Sequence, residues 1–234
     1  GRDVKAGSTD GGDQAIGGAL DERAVFRLVA IGVAACQNAG RRTGHDGVVQ
    51  INPPVVHRQV EPAEPAWAVD KADTEVLAEL GASTFVETFG HLYSPADLQA
   101  FLDESHTLAA YAKVLANPDY ALWIAERDGE AIGYAQAGPC GLPHAEVQPG
   151  DGELKRLYVR AGIQGGGTGR ALMDAAMAWL LRDGPRPLWL RVWSEDLGAP
   201  RFYARYGFGF VAEYEFIVGA QRDREFMYRR LAQG

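Results

Sequence analysis

From Val159 to Arg170 the chain reads Val-Arg-Ala-Gly-Ile-Gln-Gly-Gly-Gly-Thr-Gly-Arg, a glycine-rich loop set between a predicted strand and a predicted helix. This loop constrains the fold more than any other segment. Glu153–Val159 reads as a strand, and a helix from about Gly169 to Arg182 carries Leu172, Ala176, Trp179 and Leu180 on one face. Glycines let the backbone turn with positive φ and admit a ligand where a Cβ would obstruct it. The free amides at the start of the helix, aided by its dipole, then face an anion. The loop is therefore a candidate phosphate cradle; a glycine turn with no ligand is the plainer alternative.

Two common phosphate loops do not fit. A P-loop needs Lys followed by Ser or Thr after its last glycine, where this chain has Arg170-Ala171. The dinucleotide pattern GxGxxG fails because Arg170 stands three residues after Gly167.

The elements around the loop define the fold class. Thr74 to about Phe89 has helical spacing, with Asp73 as its N-cap, and Ser94-Pro95 starts a second helix. A third covers Leu108–Ala116 and stops at Asn117-Pro118. Ala121–Glu126 and Ala131–Ala137 flank Asp128-Gly129, a hairpin signal. After the glycine loop and its helix come a strand, Leu188–Trp193, a short helix, about Leu197–Tyr206, and strands at Phe210–Phe216 and Glu225–Arg230. The expectation is a mixed α/β fold, with a sheet of about six to seven strands flanked by helices.

Residues 1–66 read as an N-terminal extension of low order, and residues 67–234 as the folded domain. The extension is rich in Gly, Ala, Asp and Gln and ends in a proline-punctuated stretch. Its one apolar run, Ala24–Cys36, is far short of a bilayer span once Arg27 interrupts it. Val33-Ala34-Ala35-Cys36 resembles a lipoprotein cleavage site, but acidic residues precede the run. The expectation there is a short helix or unstructured chain. The formal net charge is -8. That balance argues against nucleic acid and suits a cationic partner. Cys36 and Cys140 are in no metal-ligand or CxxC spacing, which implies no metal site and a reducing, cytoplasmic setting.

Here the sequence resembles the GNAT superfamily of N-acetyltransferases. Its pyrophosphate loop has the form Gln/Arg-x-x-Gly-x-Gly/Ala, beside Gln164-Gly165-Gly166-Gly167-Thr168-Gly169-Arg170 in this chain. A second motif of the family, Asn-x-x-Ala-x-x-Phe-Tyr, is similar to Asp196-Leu197-Gly198-Ala199-Pro200-Arg201-Phe202-Tyr203, with Gly207-Phe208 following. Asp196 replaces the usual Asn, and Ala161 replaces the usual proline before the loop. The resemblance spans roughly Trp67–Arg230.

The resemblance implies acetyl-CoA as cosubstrate and direct transfer to an amine. The backbone around Leu157 and Val159 would bind pantetheine and polarise the thioester, and the amides from Gln164 to Arg170 would hold the pyrophosphate. Asp196 would cap its helix, with its CoA contact left open. Tyr203 would be the general acid, since a phenol stays protonated at neutral pH. Glu153 would be the general base, acting through water; an ordinary strand-end carboxylate is the alternative. Segments at Thr84–Phe89, Leu188–Glu195 and Tyr214–Gly219 look like bacterial spermine/spermidine N-acetyltransferases. Polyamine is thus the leading acceptor, with Glu87, Glu213 and Glu215 beside Glu153 as candidate ligands. Peptide N-termini, protein lysines, amino acids and aminoglycoside-like amines are the other acceptors. The non-enzyme alternative is an acetyl-CoA sensor. The family often forms homodimers, but no segment here marks an interface, and nothing suggests a membrane partner.

Overall fold

In a computed structural model the described residues are 26–31, 71–164 and 166–232, with the backbone alone described for residues 26–31 and Lys71. Seven strands form one sheet in the order β1-β2-β3-β4-β5-β7-β6. They are β1 (Phe26–Ile31), β2 (Ala121–Arg127), β3 (Glu130–Pro139), β4 (Gly152–Val159), β5 (Leu188–Trp193), β6 (Gly209–Val218) and β7 (Gln221–Arg230). Among the described residues five α-helices flank it, α1 (Lys71–Phe89), α2 (Pro95–Ser105), α3 (Leu108–Leu115), α4 (Thr168–Leu180) and α5 (Ala199–Ala204), with a short 3-10 turn at Gly90–Leu92 after α1. The mixed α/β expectation holds, with seven strands.

Local chemistry sets the element boundaries. Ser94 Oγ accepts from the Asp97 amide and Pro95 opens α2, where its missing N–H costs nothing. Thr107 caps α3 in the same way through the Ala110 amide. Asp128 and Gly129 both have positive φ, the requirement of the two-residue turn that joins β2 to β3. Helix α1 starts at Lys71, so Asp73 stands in its first turn instead of capping it. There its charge still complements the helix dipole.

Phe26–Ile31 departs from the expected helix or unstructured chain. It pairs antiparallel with β2, from Phe26 opposite Arg127 to Ile31 opposite Leu122. The pairing satisfies backbone groups along β2, a long-range gain that local periodicity does not register. The rest of residues 1–66, including Cys36, lies outside the described residues.

Strands β2 and β3 are buried on both faces along most of their length. Along β2, Leu122 and Ile124 join Leu77, Leu80, Tyr111 and Tyr134 under α1 and α3. Ala121, Trp123 and Ala125 point the other way, toward Leu172, Met173, Ala176 and Leu180 of α4. A period of two sends alternate side chains into two cores, which is why β2 reads as a continuous apolar run.

All neighbouring strands are antiparallel except β4 and β5. This parallel pair is connected through α4 and matches only Gly152, Glu153 and Leu154 with Leu188, Trp189 and Leu190. Beyond Leu154 the strands separate, while β4 continues to pair with β3 as far as Val159.

Leu172 is fully buried between α4 and the sheet, whereas Leu197 is 76% exposed. Leu172→Ala should lower unfolding stability by about 2–5 kcal/mol in urea titration, and Leu197→Ala by less than about 0.5 kcal/mol. Equal costs would contradict this assignment of the core.

Candidate active site at the divergence of β4 and β5

The separation of β4 from β5 leaves cavities on both sides of the sheet. One is lined by Leu154, Leu157, Val159 and Gln164, and by Val192, Asp196, Ala199 and Tyr203. The other is lined by Phe85, Phe89, Tyr93, Phe101, His106, Phe216, Asp223 and Glu225. Phe89, Lys155, Arg156, Tyr158, Arg191 and Trp193 line both. Five of these shared residues lie on the diverging strands β4 and β5, with Phe89 at the end of α1 beside them, and there the two spaces meet.

A bulge helps to shape this region. Across β3 and β4, Gln136 faces Arg156 and Ala137 faces Leu154, leaving Lys155 as the extra residue. A bulge raises local twist and re-aims the side chains around it. It falls one residue beyond the last β4–β5 pair.

At the end of β4 the chain enters the glycine loop. Gly167 has φ of 85°, a left-handed conformation that favours glycine. It is the N-cap of α4, and no side chain caps the helix. Ala171 donates to the Gly167 carbonyl, so the amides of Thr168, Gly169 and Arg170 come before the helix's own bonds begin. The Thr168 hydroxyl is buried with no hydrogen-bond partner among the described residues. A Cβ on Gly166 would come within 3.1 Å of the Arg127 guanidinium, which places a cation at the loop. Uncapped amides, an orphaned hydroxyl and a nearby arginine fit a phosphate-bearing ligand such as CoA.

Leu157, Val159, Gln164 and Asp196 line the loop-side cavity. Gly166, Gly167, Thr168, Gly169 and Arg170 form the turn into α4, and Gly165 lies outside the described residues. The Arg170 side chain points to solvent and pairs with Asp174 at 3.5 Å. Asp196 accepts from the amides of Gly198 and Ala199 at 3.0 and 2.9 Å and ties down the entry to α5. Tyr203 is buried on α5 and lines the cavity. Burial raises its pKa well above the ordinary phenol value, and Tyr158 and Asp196 add to the rise. The hydroxyl is therefore protonated across the neutral range.

The expected carboxylates are placed differently. Glu153 is buried, accepts from the Gly141 amide at 2.9 Å and Lys155 Nζ at 2.6 Å, and lines neither cavity. Glu87 accepts from the Ala161 amide at 3.0 Å and faces Arg160 at 3.6 Å, clipping α1 to the start of the loop. Glu213 and Glu215 are exposed on β6 and pair with Arg224 at 3.9 Å and Arg222 at 3.0 Å. The structure does not gather these four around one space.

The carboxylates that do line the second cavity are Asp223 and Glu225, which the sequence reading passed over. Asp223 accepts from the Tyr93 hydroxyl and from Gln221. Arg191 Nε stands 3.4 Å from Glu225 Oε2, yet that oxygen is buried and accepts no hydrogen bond. Burial raises the Glu225 pKa against the pull of Arg191, and Asp223 and Glu153 add to the rise. Arg156 and Tyr158 were also missed, although they alternate with the singled-out Leu157 and Val159 along β4. Burial pushes the Tyr158 phenol up to about 12, with Arg156 opposing and Glu225 adding.

Among the described residues there is no group of three His, Cys, Asp or Glu side chains placed to hold a metal. None of their helices is long and apolar enough to cross a membrane. Burial raises the Cys140 thiol to about 11, which disfavours the thiolate a nucleophile would need.

Comparison with known proteins bears on this geometry. A sequence model of the Acetyltransferase (GNAT) family matches residues 77–208. The chain is 30% identical over 158 residues to an uncharacterized N-acetyltransferase of Mycobacterium tuberculosis, covering 68% of this chain and 97% of that protein. It is 28% identical over 162 residues to an uncharacterized N-acetyltransferase from the pepI 3′ region of Lactobacillus delbrueckii subsp. lactis, covering 69% and 94%. Among solved structures, PaiA N-acetyltransferase from Thermoplasma acidophilum in complex with coenzyme A aligns with a TM-score of 0.54 at 19% identity. That alignment covers 69% of this chain and 94% of the other.

Gly167→Asp sets a strained left-handed side chain and a negative charge at the uncapped end of α4. Calorimetry should show acetyl-CoA affinity reduced by more than about tenfold, since strain and repulsion each cost on the order of 1 kcal/mol. Unchanged affinity would contradict the loop's role as an anion site.

Proposed function

The chain belongs to the GNAT acetyltransferase family and is an acyltransferase, and we propose that it moves the acetyl group of acetyl-CoA directly to a primary amine across the gap between β4 and β5. The observation that carries this reading is Tyr158. It lines the loop-side cavity together with Tyr203 and the opposite cavity together with Glu225. A donor entering from one face and an acceptor from the other would meet there.

Acetyl-CoA supplies an activated acyl group. The amine nitrogen forms a bond to the acetyl carbon, the carbon–sulfur bond breaks, and the nitrogen loses one proton while the departing thiolate gains one. The residues of this chain bind and orient both partners and manage those protons. The loop amides and Arg127 would hold the pyrophosphate. Main-chain groups of β4 beyond Leu154, which do not pair with β5, are free to engage the pantetheine. Tyr203, kept neutral by its burial, donates to the thiolate.

For the amine proton we propose Glu225 over Glu153. Glu225 lines the acceptor-side cavity and has a buried oxygen without a hydrogen bond, whereas Glu153 is engaged by Gly141 and Lys155. Glu153 then acts by holding the Lys155 ammonium beside the gap. The four carboxylates offered as polyamine ligands already have partners in this chain, and the acceptor-side cavity contains Lys155, Arg156 and Arg191 as well as its two acids. A mere acetyl-CoA sensor would not need a buried acid on one side of the gap and a buried base on the other.

The test is thiol release from acetyl-CoA with a panel of amines, with the acetylated product identified by mass. Tyr203→Phe should lower kcat by about 10- to 1,000-fold while leaving acetyl-CoA affinity within about twofold. Glu225→Gln should lower kcat/KM for the amine by about 10- to 100-fold, again without loss of acetyl-CoA binding. Unchanged turnover in either variant would remove that residue's role.

A further inference from the structure

The charges lining the acceptor-side cavity are unequally paired. Lys155 bonds Glu153 at 2.6 Å. Arg191 lies 3.4 Å from Glu225 and also packs 4.6 Å from the centre of the Phe216 ring. Arg156 differs from both: among the described residues no carboxylate forms an ion pair with it. Its Nη1 donates to the Tyr111 hydroxyl at 3.1 Å, and the groups around it are Tyr134, Tyr158 and His106. His106 adds no counter-charge. Burial and the nearby Arg156 lower its pKa to about 3, so the ring is neutral at physiological pH.

A half-buried guanidinium with no carboxylate partner among the described residues is a ready site for an anion, whose charge would complement it. Its planar fork of donors fits a carboxylate in particular. The arrangement around it is a built one. A Cβ on Gly81 would collide with the Tyr111 hydroxyl and His106 Nδ1, so glycine in α1 makes room for the phenol that Arg156 engages. The same cavity has aromatic walls from Phe85, Phe89, Phe101 and Trp193.

Resting on the N-acetyltransferase reading, we propose that the acceptor is an amine carrying a carboxylate on a compact aromatic or apolar body, with the carboxylate bound by Arg156 and the amine turned toward Glu225. An amino acid with an apolar side chain has this chemistry. Spermidine does not, because it would bring only positive charge toward an arginine that lacks a counter-ion.

The experiment uses matched acceptors on the full chain: L-phenylalanine, L-phenylalaninamide and spermidine, compared per free amine. Wild type should use phenylalanine with a kcat/KM about 10- to 100-fold above that for the amide, the range for a hydrogen bond to a charged group. In Arg156→Gln the ratio should fall to within about threefold of one, while Arg156→Lys keeps part of the preference. A residue that only supports the fold would lower both rates and leave their ratio unchanged. Where neither acceptor turns over, calorimetry of CoA-saturated protein with N-acetyl-L-phenylalanine and its amide reads the same preference. Equal use or binding of acid and amide by wild type, no binding of either, better use of spermidine, or a preference that survives Arg156→Gln would overturn the inference. Coenzyme A binding, titrated first, reports separately on the acetyltransferase reading. If CoA binds and the preference is missing, the acceptor assignment alone fails.

Discussion

The parallel contact between β4 and β5 lasts for three residue pairs, and the organisation of the site depends on where it stops. Full pairing would close the sheet and separate its two faces. Instead, β4 stays bound to β3 while its other edge leaves β5 after Leu154, and the bulge at Lys155 coincides with that departure. Backbone polar groups in a sheet interior need partners, and an unpaired central edge is tolerated where a ligand or water can supply them. The opening is thus the local weakness of the sheet and, in the function proposed above, its working surface.

Both sides of the opening are supported by well-packed cores. The core under α4 fixes the end of β4 and the glycine loop through Leu157, Val159 and Leu172. The core under α1 and α3 holds Tyr111, Tyr134 and Tyr158 behind Arg156. Protons and charges follow the same division: Tyr203 on the loop side is held neutral, while burial raises the pKa of Glu225 on the far side. Two titratable groups with different environments on either side of one gap can serve as acid and base without exchanging roles.

Local chemistry made much of the fold legible. Ser94-Pro95, Asp128-Gly129 and the apolar faces of α1 and α4 each carry a short-range signal, and the corresponding elements appear where those signals are. Strand β1 had no such signal, because its pairing is with a segment ninety or more residues away in sequence. The loop proposed as the anion cradle stands out in the sequence for the same reason as the helix caps: its residues are consecutive. The acceptor side is not consecutive. Asp223 and Glu225 on β7 meet Arg156 and Tyr158 on β4 only after the sheet order β4-β5-β7 has formed. Glu87, Glu213 and Glu215 were candidates by resemblance and by charge, but each forms an ion pair with an arginine of this chain. Residue charge is visible in a sequence; the partner that neutralises it is not.

The most direct measurement is a crystal structure of the full chain with coenzyme A bound. The pyrophosphate should lie against the amides from Gly166 to Arg170, with the pantetheine beside Leu157 and Val159. The sulfur should lie in the gap, near the hydroxyl of Tyr203 and beside Tyr158. Coenzyme A bound elsewhere, or a complex in which β5 pairs with β4 as far as Val159 and closes the gap, would contradict the account.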